Sequence, residues 1–101
     1  MDRRMELHQK LKSILQSNNV YFQPPPSVKL KYPCIIYNRT RIDTKYADNT
    51  SYMRGINYTL TLIGSSPESE IINDILALPY CSYDRFYTAD GLNHDVFSLF
   101  Y

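Results

Sequence analysis

The sequence contains no tryptophan, only three glycines and two cysteines, and no apolar run that approaches the roughly 20 residues of a membrane-spanning helix. So few glycines exclude a glycine-rich phosphate-binding loop. Two cysteines are too few for a disulfide framework, and Cys34 and Cys81 lack the paired spacing of a zinc site. We expect both to be buried free thiols in a reducing cytoplasm, while a bridge across paired strands stays open.

An excess of one charge is also missing, since 11 Lys and Arg stand against 10 Asp and Glu, for a net charge of +1. A strongly basic domain gathers nucleic acid through its overall field, and this chain lacks that field. Its 101 residues, 44% hydrophobic and 21% charged, are typical of one small folded domain. We therefore expect a single domain over residues 1–101, with no membrane partner and no specific nucleic-acid partner.

Candidate catalytic groups are scarce. His8 and His94 are the only histidines, and neither lies near a serine or cysteine in a known nucleophile motif. Asp95 follows His94 directly, but neighbours on a strand point to opposite faces, so we do not expect an acid–base pair. The acidic residues within 68–74 resemble metal ligands only weakly, because a place near a helix start or on a solvated face accounts for them. The sequence thus predicts no enzyme, no metal and no cofactor.

What is present is a series of helix and strand patterns. Leucine and isoleucine recur with helical spacing over residues 7–15, which predicts an amphipathic helix that ends at residues 17–19. Residues 20–22 are short and β-prone. The three prolines at residues 24–26 have no amide hydrogens for a sheet and predict a stiff, extended connection.

Two further segments predict a long β-hairpin. Residues 32–42, YPCIIYNRTRI, and residues 56–63, INYTLTLI, are rich in β-branched and aromatic residues. Alternation in the second segment leaves only one face consistently apolar. The segment between them, residues 43–55, is polar and has turn formers at its middle, so we expect a mobile and easily cleaved hairpin tip.

A second helix is predicted to begin with Ser66 as its N-cap and Pro67 in its first turn, and to end at Pro79. Two β-rich runs follow around an Asp90-Gly91 turn. The prediction is therefore an α+β fold with a mostly antiparallel sheet and two packed helices, in the order α-β-β-β-α-β-β. The buried stripe of the second helix is expected to comprise Ile71, Ile72, Ile75, Leu76 and Leu78.

Tyrosine is abundant, with ten Tyr and four Phe in the chain. Tyrosine combines apolar area with a hydroxyl that tolerates water, and it is favoured at protein interfaces. The sequence also ends on HDVFSLFY, in which both rows of a strand are apolar, so one row needs cover from a helix of the same chain or from a neighbouring subunit. The candidate interface residues are Tyr46, Tyr52, Met53, Phe97, Phe100 and Tyr101.

The order of elements, with YPCIIY at residues 32–37, YTLTLIG at 58–64 and SPESEIINDILALP at 66–79, resembles small tail-completion or tail-terminator proteins of siphophages and their prophages. The stretch at residues 78–101 is similar to the closing hairpin of phage minor structural proteins. The resemblance implies a non-enzymatic subunit that forms a ring, expected to be a hexamer, at the head-proximal end of the tail. Its partners would be the tail tube protein and head connector proteins, and it would reside in the virion after assembly in the host cytoplasm.

Three alternatives stay open. Head-closure and other virion joining proteins share this size and mixed topology. A small intracellular nucleic-acid-binding regulator would stack Tyr37 or Tyr46 on bases, and a small hydrolase would use His94 with Asp95. The phosphate contacts of such a regulator would come from Arg39, Arg41, Lys45 and Arg54.

Overall fold

The structure, a computed structural model, describes residues 3–47, 51–65 and 70–101, and for residues 41–47 and 51–55 it describes only the main chain. The described residues form helices and strands in the predicted order α-β-β-β-α-β-β, so the α+β prediction is confirmed. The elements are α1 (Arg3–Leu15), β1 (Val20–Phe22), β2 (Cys34–Ala47), β3 (Ser51–Gly64), α2 (Glu70–Leu76), β4 (Cys81–Ala89) and β5 (Leu92–Phe100).

The strands form one sheet in the order β1-β2-β3-β5-β4. Strand β1 runs parallel to β2, and the other neighbouring pairs are antiparallel, as the sequence predicts for most of the sheet. After β3 the chain passes through α2 to β4, and β5 then returns between β3 and β4. The final strand of the sequence is therefore an inner strand, and β4 is left at the edge.

Both helices contribute to a core on one face of the sheet. Leu7 and Leu11 of α1 and Ile75 of α2 are fully buried there. The strand residues that meet them occupy alternate positions and pair across the sheet, as Leu60 does with both Tyr37 and Phe97. The strand side of this core comprises Val20, Ile35, Tyr37, Tyr58, Leu60, Leu62, Phe97 and Leu99.

The helix predictions are confirmed in part, since α2 ends at Leu76 rather than at the predicted Pro79. In the predicted α1 stripe Leu7, Leu11 and Leu15 are buried and Ile14 is partly buried. In α2, Ile75 is buried, with Ile71, Ile72 and Leu78 partly buried beside it. The assignment of Leu76 to the buried stripe is wrong, because Leu76 is exposed. Successive helical residues are turned by about 100°, so a neighbour of Ile75 faces away from the sheet. The predicted N-cap Ser66 and first-turn Pro67 lie outside the described residues.

The hairpin is more regular than the sequence predicts. Strands β2 and β3 continue into the polar segment, where residues 43–47 pair with residues 51–55, from Asp43 opposite Gly55 to Ala47 opposite Ser51. Main-chain pairing does not require apolar side chains, and the threonine and tyrosines of this segment favour strands. The mobile tip is predicted for residues 43–55; residues 48–50 of that segment lie outside the described residues, and its mobility stays a prediction.

Both cysteines are free thiols, as predicted. Cys34 is fully buried, whereas Cys81 is only half-buried, so the burial prediction is confirmed for Cys34 alone. Cys34 is on β2 and Cys81 on β4, and β3 and β5 lie between those strands, which closes the possibility of a bridge within one chain. Burial raises the pKa of the Cys34 thiol to about 11 and also raises the pKa of the Cys81 thiol. No helix in the described part of the chain has the length and apolarity to cross a membrane.

Candidate assembly surface

Strand β4 has a different environment from the rest of the sheet. Between its two ends every residue of β4 is exposed, whereas the adjacent β5 is mostly buried. Because main-chain groups of a strand alternate between its two neighbours, an edge strand has one row of N–H and C=O groups that no second strand pairs. Among the described strands, none lies beyond β4. This strand is therefore available for pairing with another chain.

The exposed side chains of β4 include an unusual number of aromatic rings. Phe86 is 49% exposed, Tyr83 43% and Tyr87 41%, and Tyr80, directly before the strand, is 68% exposed. Singly exposed apolar residues are normal on a protein surface, whereas several exposed rings along one edge strand favour an interaction site. We define the β4 edge surface as Tyr80, Tyr83, Asp84, Arg85, Phe86 and Tyr87.

Tyr83 is held firmly on the helix-bearing face. Its ring meets Phe97 edge to face, with 5.4 Å between centroids and an angle of 85°. Its hydroxyl donates a 2.7 Å hydrogen bond to Oδ1 of Asp95, whose side chain is buried. That hydrogen bond is the main cause that raises the pKa of Tyr83, with burial and the negative charge of Asp95 as smaller causes. The ring is thus fixed while part of it stays open to solvent.

The rings on the opposite face are also anchored. Tyr87 stacks on His94 with a centroid distance of 4.6 Å and an angle of 16°, and the Cζ of Arg85 lies 5.8 Å from the Tyr87 centroid. Tyr80 meets Phe100 edge to face at 6.1 Å. Rings that are already ordered lose little conformational entropy when a partner covers them. Tyr80, Tyr83 and Tyr87 of the β4 edge surface are therefore preorganised for binding.

The centre of β4 carries a bulge and one charge of each sign. The register with β5 shifts between Tyr83 and Arg85, and the Asp84 carboxylate and Arg85 guanidinium form an exposed ion pair at 3.0 Å. Bulges and charges at an edge discourage indiscriminate pairing. A neighbouring pair of opposite charges restricts the choice of partner without excluding a partner of matching pattern.

The structure separates the candidate interface residues into three groups. Phe97 is fully buried in the core, and Phe100 is 9% exposed, so the chain itself covers both rings. Tyr101 is half-buried beside α1, with Arg3 Cζ at 4.7 Å and Lys10 Nζ at 5.2 Å from its ring centroid. The cover inferred for the apolar end of the sequence is thus supplied within one chain.

The remaining candidates lie in the hairpin. The main chain places Tyr46 opposite Tyr52, and Met53 opposite Lys45, on paired strands. Their side chains lie outside the described part of the chain, so their role as interface residues stays a prediction. The β4 residues were missed by the sequence analysis. A signal was present, because CSYDRFYTA lacks a consistent apolar face and puts charges between aromatic residues, as an edge strand can.

Three residues proposed for alternative functions, Tyr37, His94 and Asp95, are not arranged for them, while the side chains of Arg41, Lys45, Tyr46 and Arg54 lie outside the described part of the chain. Tyr37 is fully buried, and its hydroxyl lies 2.8 Å from Nδ1 of His8, so its ring has no face for a base. His94 stacks on Tyr87 and Asp95 binds Tyr83, on opposite faces of β5, so the pair forms no catalytic dyad. Within the described residues, no cluster of three His, Cys, Asp or Glu side chains is placed to hold a metal ion.

Comparison with known proteins adds no relative. No protein-family model matches the chain, and neither a curated protein nor a solved structure shows significant similarity to it.

Proposed function

We propose that this chain is a non-enzymatic structural subunit of a phage or prophage, which assembles at the head-proximal end of the tail, ends growth of the tail tube and joins tail to head. The observation that carries the proposal is the β4 edge surface, where anchored aromatic rings border an open strand edge. A subunit that must associate with other chains needs such a surface.

The layout of the fold supports this proposal. The described elements follow the order on which the resemblance to tail-completion proteins rests, and the sheet has two unlike edges, a short β1 and a long β4. A ring of identical subunits uses two different patches on each subunit, because each copy meets one neighbour on either side. The long hairpin of β2 and β3 offers a further projection toward a partner, as the sequence predicts.

The proposal is testable by reconstitution with the tail tube protein encoded in the same genome. We expect tubes polymerised with this chain to be shorter and to carry a ring at one end in negative-stain electron micrographs. Phe86→Asp places a charge in the β4 edge surface and is expected to abolish the effect. Val28→Asp, at an exposed residue outside that surface, is the matched control and should retain it. Tubes of unchanged length without end density would contradict the proposal.

A further inference from the structure

We infer that two copies of the free protein pair through β4, antiparallel about a two-fold axis that passes between Asp84 and Arg85. This inference rests on the proposed function, because it names a second copy as the occupant of the β4 edge surface before the chain joins a tail. Pairing of this kind would join the two sheets at their open edges and protect both aromatic strands from indiscriminate association.

Charge complementarity is the first argument. In this register Asp84 of each copy lies opposite Arg85 of the other, so the axis creates two pairs of opposite charge from one Asp and one Arg per chain. Opposite charges directly across a strand pair stabilise it, and like charges destabilise it. A β4 edge with charges of only one sign would repel the β4 edge of a second copy. The adjacent Asp84 and Arg85 are instead self-complementary under a two-fold axis.

The faces of the strands match in the same register. Tyr83 lies opposite Phe86 of the second copy, and both residues belong to the helix-bearing face, since Tyr83 packs on Phe97 and Phe86 pairs with Asp95. Ser82 lies opposite Tyr87 of the second copy, and both belong to the other face. Residues opposed in an antiparallel pair must share a face, and an aromatic pair across strands is favourable.

Alternative registers are disfavoured by the same residues. A slip by one residue in one direction places Asp84 opposite Asp84 of the second copy, and a slip in the other direction places Arg85 opposite Arg85. Either slip also separates Tyr83 from Phe86 of the second copy. The charge pattern at the bulge therefore selects one register out of the three, which is the means by which edge strands specify a partner.

The experiment measures the dimer by native mass spectrometry and sedimentation of the full chain. We expect a wild-type dimer. Asp84→Arg and Arg85→Asp should each weaken it by about tenfold or more, because every opposed pair then carries like charges. The double variant Asp84→Arg/Arg85→Asp reverses the pattern and should restore the dimer. An equimolar mixture of the two single variants should form heterodimers. Lys29→Asp, an exposed charge change away from β4, is the control and should leave the dimer intact.

Folding of each variant is checked by circular dichroism and is expected to be unchanged, because both side chains are exposed. A wild-type protein that stays monomeric up to about 1 mM would overturn the inference, as would a dimer that is indifferent to all the charge variants. A charge-sensitive dimer that never shortens tail tubes would instead contradict the proposed function. If the protein shortened tail tubes and formed a ring at one end but did not dimerise through β4, only the two-fold pairing would be overturned.

Discussion

The main chains of Ile56 and Tyr101 exchange two hydrogen bonds: the amide of Ile56 donates to the oxygen of Tyr101 at 2.9 Å, and the amide of Tyr101 donates to the oxygen of Ile56 at 3.0 Å. The pair extends the ladder of β3 and β5 one step beyond Asn57 and Phe100. Together with Arg3 and Lys10 over the Tyr101 ring, it holds the end of the sequence against its own sheet.

A buried and an exposed phenylalanine should respond differently to truncation. Phe100→Ala removes a ring that is 9% exposed and in contact with Tyr80, so we expect a loss of about 3–5 kcal/mol in the free energy of unfolding. Phe86→Ala, on the β4 edge, should cost about 1 kcal/mol or less and weaken self-association instead. Urea denaturation of dilute protein measures both. If Phe100→Ala lowered the free energy of unfolding as little as Phe86→Ala is expected to, Phe100 would not be part of the core.

The two thiols should differ in reactivity. Cys34 is fully buried and its pKa is raised to about 11, so its thiolate, the reactive form, is scarce at neutral pH and inaccessible. Cys81 is half-buried with a raised pKa, and we expect it to be alkylated first, although slowly. Iodoacetamide labelling with mass mapping at pH 8 checks the order, and labelling in guanidinium should remove the difference. Faster labelling of Cys34 in the folded protein would contradict its position.

His8 should make the fold sensitive to acid. Burial, followed by the positive charges of Lys12 and Arg4, lowers the pKa of His8 from 6.5. Because this pKa is lower in the folded than in the unfolded protein, the stability that neutral His8 contributes is fully present above pH 6.5 and is lost as the pH falls through the folded value. We expect His8→Gln to lose less stability than wild type between pH 7.5 and 5 in urea denaturation. An identical loss in both proteins would exclude His8 as the cause.

The pairing of residues 43–47 with 51–55 should be visible in amide hydrogen exchange. We expect slower exchange for the paired amides of these ranges than for the proline-rich connection at residues 24–32, because amides in a ladder exchange only after local opening. NMR or mass spectrometry of the isolated chain gives the comparison. Exchange as fast as in the proline-rich connection would favour the mobile segment that the sequence predicts.

Local patterns predict most of this fold, because helical spacing and strand alternation depend on neighbouring residues. The stripe from Leu7 to Leu15 and the apolar face from Tyr58 to Leu62 both lie in the core as predicted. Leu76 was misplaced because a short apolar segment does not define which side faces the sheet. The hairpin arms were missed because main-chain pairing leaves no apolar signature in polar residues.

The candidate site depends on long-range order and was harder to predict. The return of β5 between β3 and β4 makes β4 an edge strand, whereas the mixed charged and aromatic pattern of CSYDRFYTA is compatible with an edge but does not determine the strand order. The same strand order buries Phe97 in the core, although the sequence predicts Phe97 as an interface residue. Aromatic abundance predicted a binding surface, and strand order determined which aromatic residues remained exposed.

The central claim, the proposed structural role at the head-proximal end of a phage tail, is tested most directly by removing the protein from the genome that encodes it, which the proposal takes to be that of a phage or prophage. A stop codon in place of Lys10 removes the protein, and electron microscopy of the lysate then counts complete virions. We expect filled heads without tails and free tails of irregular length, with complete virions restored when the wild-type chain is supplied from a plasmid. Complete virions in normal number without the protein would contradict the claim.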